Sequence, residues 1–110
     1  MKEGPRQYVA VFEPEYGQQM QVLNNTGGAL YSLGRYKEAI EAYRQAVAND
    51  PKFSYPYNGL GIALESLGRD EEAIEAYRQA IAIDPKYAYP YNGLGNTLRS
   101  LGRNEEAIEA

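Results

Sequence analysis

The sequence predicts an all-α fold, an array of antiparallel helix pairs stacked unit upon unit, and three observations carry that prediction. The string YPYNGLG stands at residues 55–61 and again, unchanged, at 89–95. The glycines of SLGR, Gly34, Gly68 and Gly102, lie 34 residues apart, and DPK recurs at that distance as Asp50-Pro51-Lys52 and Asp84-Pro85-Lys86. EEAIEA occupies Glu71 to Ala76 and Glu105 to Ala110, with KEAIEA at Lys37 to Ala42. Three registers that agree on one period mark a repeated structural unit.

Each element follows in order. Residues 1–19 are an N-terminal segment with two readings. RQYVAVFEPEY (Arg6 to Tyr16) echoes RQAIAIDPKY (Arg78 to Tyr87) with one residue inserted, as a worn second helix of a preceding repeat would. The alternation in YVAVF instead favours an extended stretch. Repeats then occupy 20–53, 54–87 and 88–110, the last stopping inside its second helix. In the middle repeat, Tyr57, Leu60, Gly61, Leu64 and Leu67 return at three- and four-residue steps, the face of a first helix. Pro56 is tolerated in its first turn, where a backbone N–H has no intrahelical use. Gly68 supplies a left-handed stop. A second helix starts near Asp70 with acidic residues that suit the helix dipole. Its buried stripe is Ala73, Ile74, Tyr77, Ala80 and Ile81; Glu71, Glu75 and Arg78 face outward. Asp84-Pro85 ends it.

These residues resemble the tetratricopeptide repeat (TPR) family. Residues 54–87 match its pattern through Tyr57 in the tryptophan slot, Leu60-Gly61, Leu64, Gly68, Ala73, Tyr77, Ala80 and Pro85. Residues 20–53 match with Gly27, Leu30, Gly34, Ala39, Tyr43, Ala46 and Pro51, but hold Leu23 and Thr26 in the first two slots. Residues 88–110 match through Tyr91, Leu94-Gly95, Leu98, Gly102 and Ala107. The resemblance implies a right-handed solenoid. It gives the repeated string a packing role, with Gly61 and Gly95 letting helices approach while Tyr57 and Tyr91 fill the gap between units.

Composition excludes several functions. A net charge of −4 argues against a phosphate-backbone partner, which calls for a clustered basic face. No apolar run reaches the ~18 residues of a membrane span. YVAVF is too short for a signal peptide's apolar core, so a cytoplasmic location is expected. The chain has neither cysteine nor histidine, which removes disulfides and the usual ligands of zinc or partners of a nucleophile. Glu71-Glu72 and Glu105-Glu106 begin surface helices without a pocket, a solvated face rather than an acid–base pair. NGLG is no phosphate loop, because no strand precedes it and no Lys-Ser/Thr follows. No catalytic residue, metal or cofactor is expected.

The resemblance implies that ligands are met by the first helix of each repeat, at its second, fifth, ninth, twelfth and thirteenth places. Here those are Gln21, Asn24, Gly28, Tyr31 and Ser32; then Tyr55, Asn58, Ile62, Glu65 and Ser66; then Tyr89, Asn92, Asn96, Arg99 and Ser100. Only Glu65 and Arg99 are charged, which excludes a mainly electrostatic groove. Asn24, Asn58 and Asn92 recur one per unit, and each amide offers an acceptor and donors for an extended peptide backbone. The alternative is that they solvate the groove or bond neighbouring helices. Tyr55 and Tyr89 add stiff contact area with a polar tip.

The TPR domains that clamp the C-terminal carboxylate of heat-shock chaperones carry Lys, Asn and Arg where this chain has Asn24, Gly28, Tyr89 and Gly93, so that clamp is absent. The asparagine ladder of the O-GlcNAc transferase superhelix falls on Asn25, Gly59 and Gly93, one place away from this chain's own row. The expected function is a non-catalytic module that binds a protein, as a peptide or partner helix, in its concave groove. The alternative is a structural unit that self-associates through its repeat ends, where Leu94, Leu98, Leu101, Ala107 and Ile108 would leave an apolar joint partly open.

Overall fold

Two kinds of turn, each repeated at the period of the sequence, cut the chain into helices. The computed structural model describes the backbone of residues 3–103 and the side chains of residues 18–103. Its elements are α1 (Glu3–Ser32), α2 (Tyr36–Asn49), α3 (Tyr55–Ser66), α4 (Asp70–Ile83) and α5 (Tyr89–Ser100). No strand occurs among the described residues. The remainder of the third repeat, Asn104 onward, lies outside them.

The first turn closes α1, α3 and α5. Gly34, Gly68 and Gly102 take φ of 78°, 77° and 76°. Across the middle one, the N–H of Arg69 donates to the Leu64 carbonyl and that of Gly68 to Glu65, both at 2.9 Å. This is a Schellman cap, which satisfies carbonyls the helix leaves orphaned. A Cβ on Gly68 would meet open space, so the positive φ alone selects glycine there.

The second turn closes α2 and α4. Asp50 and Asp84 are the C-cap residues, and their Oδ1 atoms accept the N–H of Lys52 at 3.2 Å and of Lys86 at 3.1 Å. The repeated DPK is thus an Asx turn whose proline prevents the helix from continuing. Pro56 and Pro90 sit in the first turns of α3 and α5, fully buried.

Helix α1 runs unbroken from Glu3 to Ser32, so the YVAVF stretch is helical and no turn falls between residues 19 and 20.

Packing follows from the amphipathic faces. The pairs α1/α2 and α3/α4 are antiparallel neighbours; α2 packs on α3, α4 on α5, and α1, α3 and α5 meet in succession. Helices α2 and α4 do not approach backbone to backbone, and the Arg44–Glu72 ion pair, 3.4 Å, reaches across between them. The first helices therefore form an inner layer and the second helices an outer one. The core between them is built from Ile40, Tyr43, Leu60, Leu64, Ile74, Tyr77, Leu94 and Leu98 with small alanines between. Ala73, Ile74, Tyr77 and Ala80 are buried as expected, while Ile81 is half-buried.

The joints between units differ from the sequence expectation. A Cβ built on Gly27 would stand 2.7 Å from the Tyr43 ring, and one on Gly59 2.4 Å. Tyr77 bears the same relation to Gly61 at 2.7 Å and Gly93 at 2.4 Å. The rings that fill the joints are thus Tyr43 and Tyr77, each shared by its own unit and the next. Tyr57 and Tyr91, assigned that task from the sequence, are only half-buried. Gly95 meets only the Arg99 guanidinium, at 3.9 Å, among the described residues. Of the apolar end expected to stay partly open, Leu94 and Leu98 are buried and Leu101 is 39% exposed. Ala107 and Ile108 lie outside the described residues.

Candidate peptide-binding groove

The face of the inner layer turned away from α2 and α4 is set by helical spacing. Tyr55, Asn58, Ile62 and Glu65 share one side of α3, and Tyr89, Asn92, Asn96 and Arg99 share the equivalent side of α5. On α1 that register holds Asn24 and Tyr31. Contact of α1 with α3 and of α3 with α5 sets the three faces side by side.

Tyr55, Ile62, Tyr89, Asn92, Asn96 and Arg99 are exposed, and Asn24 and Glu65 are half-buried. Asn58 departs from the others: it is only 7% exposed, and its Oδ1 is buried without a hydrogen-bond partner. The three asparagines that look equivalent in sequence therefore occupy three environments. Tyr87, in the turn before α5, stands beside Asn58. Its ring meets Tyr55 at 4.8 Å and 79° and Tyr89 at 5.8 Å and 68°, and its hydroxyl lies within hydrogen-bonding reach of the Asn58 amide. Burial and the neighbouring Tyr55 phenol raise the Tyr87 pKa, and the Asn58 hydrogen bond opposes them. Sequence reasoning missed Tyr87, which lies outside the first-helix places. The signal was its position two residues before Tyr89, in a turn the Asx motif fixes.

Glu65 has a structural task beside any binding role. It accepts a hydrogen bond of 2.9 Å from the hydroxyl of the fully buried Tyr77. Burial first, and this bond to a carboxylate second, push the Tyr77 pKa far above the ordinary phenol value. In the preceding unit Tyr31 stands where Glu65 would, and its hydroxyl shares a 3.0 Å hydrogen bond with Ser66 across the unit boundary. Arg99 donates to Asn96 within α5. The groove's two charges are thus both engaged by neighbours.

A cavity of about 220 Å³ lies on the other side of the molecule, among Arg44, Tyr57, Leu60, Leu64, Glu72 and Ala76, away from the groove. Among the described residues no cluster of carboxylates could hold a metal ion, and no helix is long and apolar enough to cross a membrane.

A stack of helix pairs with an inner face of amides and aromatic rings defines a helical-repeat scaffold. Tetratricopeptide-repeat sequence signatures match residues 7–53 and 26–88, and a second such signature matches 76–109, so the chain belongs to the tetratricopeptide repeat family. The second TPR domain of Spaghetti (RPAP3), solved bound to the HSP90 peptide SRMEEVD, is 27% identical with a TM-score of 0.82, covering 84% of this chain and 86% of that one. A crystal structure of MamA is 30% identical with a TM-score of 0.79; the match covers 94% of this chain and 60% of MamA. The OM64 TPR domain of Arabidopsis, 24% identical with a TM-score of 0.81 over 84% of this chain and 76% of that one, shares the fold. No curated protein matches the chain in sequence. The family and these neighbours make the chain a protein-interaction module.

Proposed function

We infer that the chain, with repeats at 20–53, 54–87 and 88–110, holds an extended, uncharged or mixed peptide, or a partner helix, in the groove of its first helices, and catalyses no reaction. The observation that carries this is the exposure of Tyr55, Ile62 and Tyr89 on one face, three large side chains left in water beside amides. The Spaghetti neighbour supports a peptide as the occupant. Its peptide, SRMEEVD, is acidic toward the C-terminus, whereas Asn24, Gly28, Tyr89 and Gly93 give this groove no basic clamp. Acid-ended peptides are therefore expected to bind poorly here.

The test begins with capture of partners by the domain and identification by mass spectrometry. Replacing Asn58 and Asn92 together by Ala weakens a groove partner by more than about tenfold, on the order of 1–3 kcal/mol of lost hydrogen bonding. A partner that binds the double variant as tightly as the parent does not use the groove. Among the described residues, the exposure of Leu101 favours the second reading, self-association through the repeat ends. Sedimentation of a strict monomer at millimolar protein would end it.

A further inference from the structure

We propose that Tyr55, Tyr87 and Tyr89 form a cradle for a proline-containing peptide segment in polyproline II conformation, with Asn58 at its floor receiving an N–H from a residue flanking the prolines. This deepens the groove reading and rests on it, since the cradle lies in the same groove.

Two rings come from first helices, and the third, from a turn, stands between them. Tyr55 begins α3, Tyr89 begins α5, and Tyr87 precedes α5 with its ring nearly perpendicular to both. Rings so disposed stand as a trough instead of closing into a stack. Their faces stay in reach of a ligand, Tyr55 being 54% and Tyr89 69% exposed. Within one turn of Tyr55 on α3 lies the second, independent observation: the Asn58 Oδ1, buried and unpartnered. Buried polar atoms normally have a partner, and one left without it marks a place for a donor the chain does not supply. This atom is buried in the free protein, so a ligand's N–H reaches it as the side chains over it shift.

The chemistry of the walls selects the occupant. The nearest formal charges along the chain come as two pairs of opposite sign, Asp50 with Lys52 and Asp84 with Lys86, and each carboxylate is already turned to its lysine's backbone N–H. The cradle therefore has no net charge to draw a cation or an anion. Flat, uncharged phenol faces with polar tips suit pyrrolidine rings, and the solvated carbonyls of polyproline II can accept from the Tyr55 and Tyr89 hydroxyls. Such a segment is already extended when free, so ordering it costs little.

The test is fluorescence anisotropy with a labelled peptide of about nine residues, three polyproline turns, proline-rich with one alanine at each end. Lysine-rich and glycine-serine peptides of equal length serve as competitors. Saturable binding of the proline-rich peptide is expected, weakened about tenfold or more by Tyr55→Ala or Tyr89→Ala. Both residues are exposed, so these variants keep the fold, which circular dichroism verifies. Tyr87→Phe keeps the ring and loses less than Tyr87→Ala. Absence of saturable binding by the proline-rich peptide overturns the proposal. Tighter binding of the lysine-rich peptide, abolished by the same tyrosine variants, also overturns it and makes the cradle a cation site. A captured partner sensitive to Asn92→Ala but indifferent to all three tyrosines removes the cradle and leaves the groove standing. One indifferent to every groove variant removes both.

Discussion

Replacing Gly59 by Ala probes the joint directly. The new Cβ would stand 2.4 Å from the Tyr43 ring, roughly 1 Å inside ordinary contact, and the ring cannot retreat because Gly27 presses on it from the neighbouring helix. Tyr43 is itself buried, so no flexible side-chain end is available to yield. Overpacking of this kind costs about 1–3 kcal/mol, and rigidity on both sides of the ring puts Gly59 at the upper end. Against it, alanine in a helix interior gains about 0.5–1 kcal/mol over glycine. The net is a loss of about 1–2 kcal/mol, or a fall in Tm of about 5–15 °C for a domain of this size. Gly28 is the control on the same tyrosine: its added Cβ would lie 3.6 Å from the Tyr43 hydroxyl, ordinary contact, so Gly28→Ala is neutral or stabilising by up to about 1 kcal/mol. Thermal and urea melts followed by circular dichroism read both. Because the clash needs the ring, Gly59→Ala costs less when Tyr43 is already Ala than in the parent. A Gly59→Ala variant as stable as Gly28→Ala would refute the wedge.

Alkaline pH attacks the buried phenols. The Tyr77 pKa is raised in the fold, so the unfolded chain releases this proton first, near pH 10; stability is intact below that pH and falls as pH rises above it. The slope is about 1.4 kcal/mol per pH unit for such a tyrosine, Tyr43 is shifted in the same direction by burial, and Tyr77→Phe lessens the alkaline loss. Stability as flat in Tyr77 as in Tyr77→Phe between pH 10 and 11.5 would contradict this. At the Schellman cap, Gly68→Ala costs about 1–2 kcal/mol through its positive φ alone, and Gly68→Asn costs less; equal melts for alanine and glycine would show that the cap is not held by backbone conformation.

The fold was legible because the period repeats the punctuation along with the helices. Gly68 and Asp84-Pro85 state where elements stop, and both act locally, through φ and an Asx turn. The joint was less legible. Gly61 and Gly59 are two letters of one string and look alike, yet Gly61 faces Tyr77 of its own unit and Gly59 faces Tyr43 of the unit before. Only the stacking of units decides which ring meets which glycine. The groove register was readable from helical spacing, but the environments were not. Asn58 is buried, Asn24 half-buried and Asn92 exposed, and the turn residue that precedes the next first helix is the half-buried Tyr87 in one unit and Phe53, 42% exposed, in the unit before. A pattern of helix places is blind to such turn side chains, so three asparagines alike in register are unlike in burial.

The sharing of Tyr43 and Tyr77 bears on how such an array can be rearranged. Each ring sits in one repeat while half of its seat, Gly59 or Gly93, belongs to the following one. Cutting the chain at the loop between residues 53 and 54 would divide tyrosine from seat, so a single excised repeat carries one ring with nothing behind it and one seat with nothing in it. Copying or deleting whole periods of 34 residues leaves each ring opposite a glycine. Gain or loss of one residue within a first helix would instead rotate the seat by about 100° and drive a side chain against the ring. The heritable unit of this architecture is therefore the full period, whatever point in it the exchange begins.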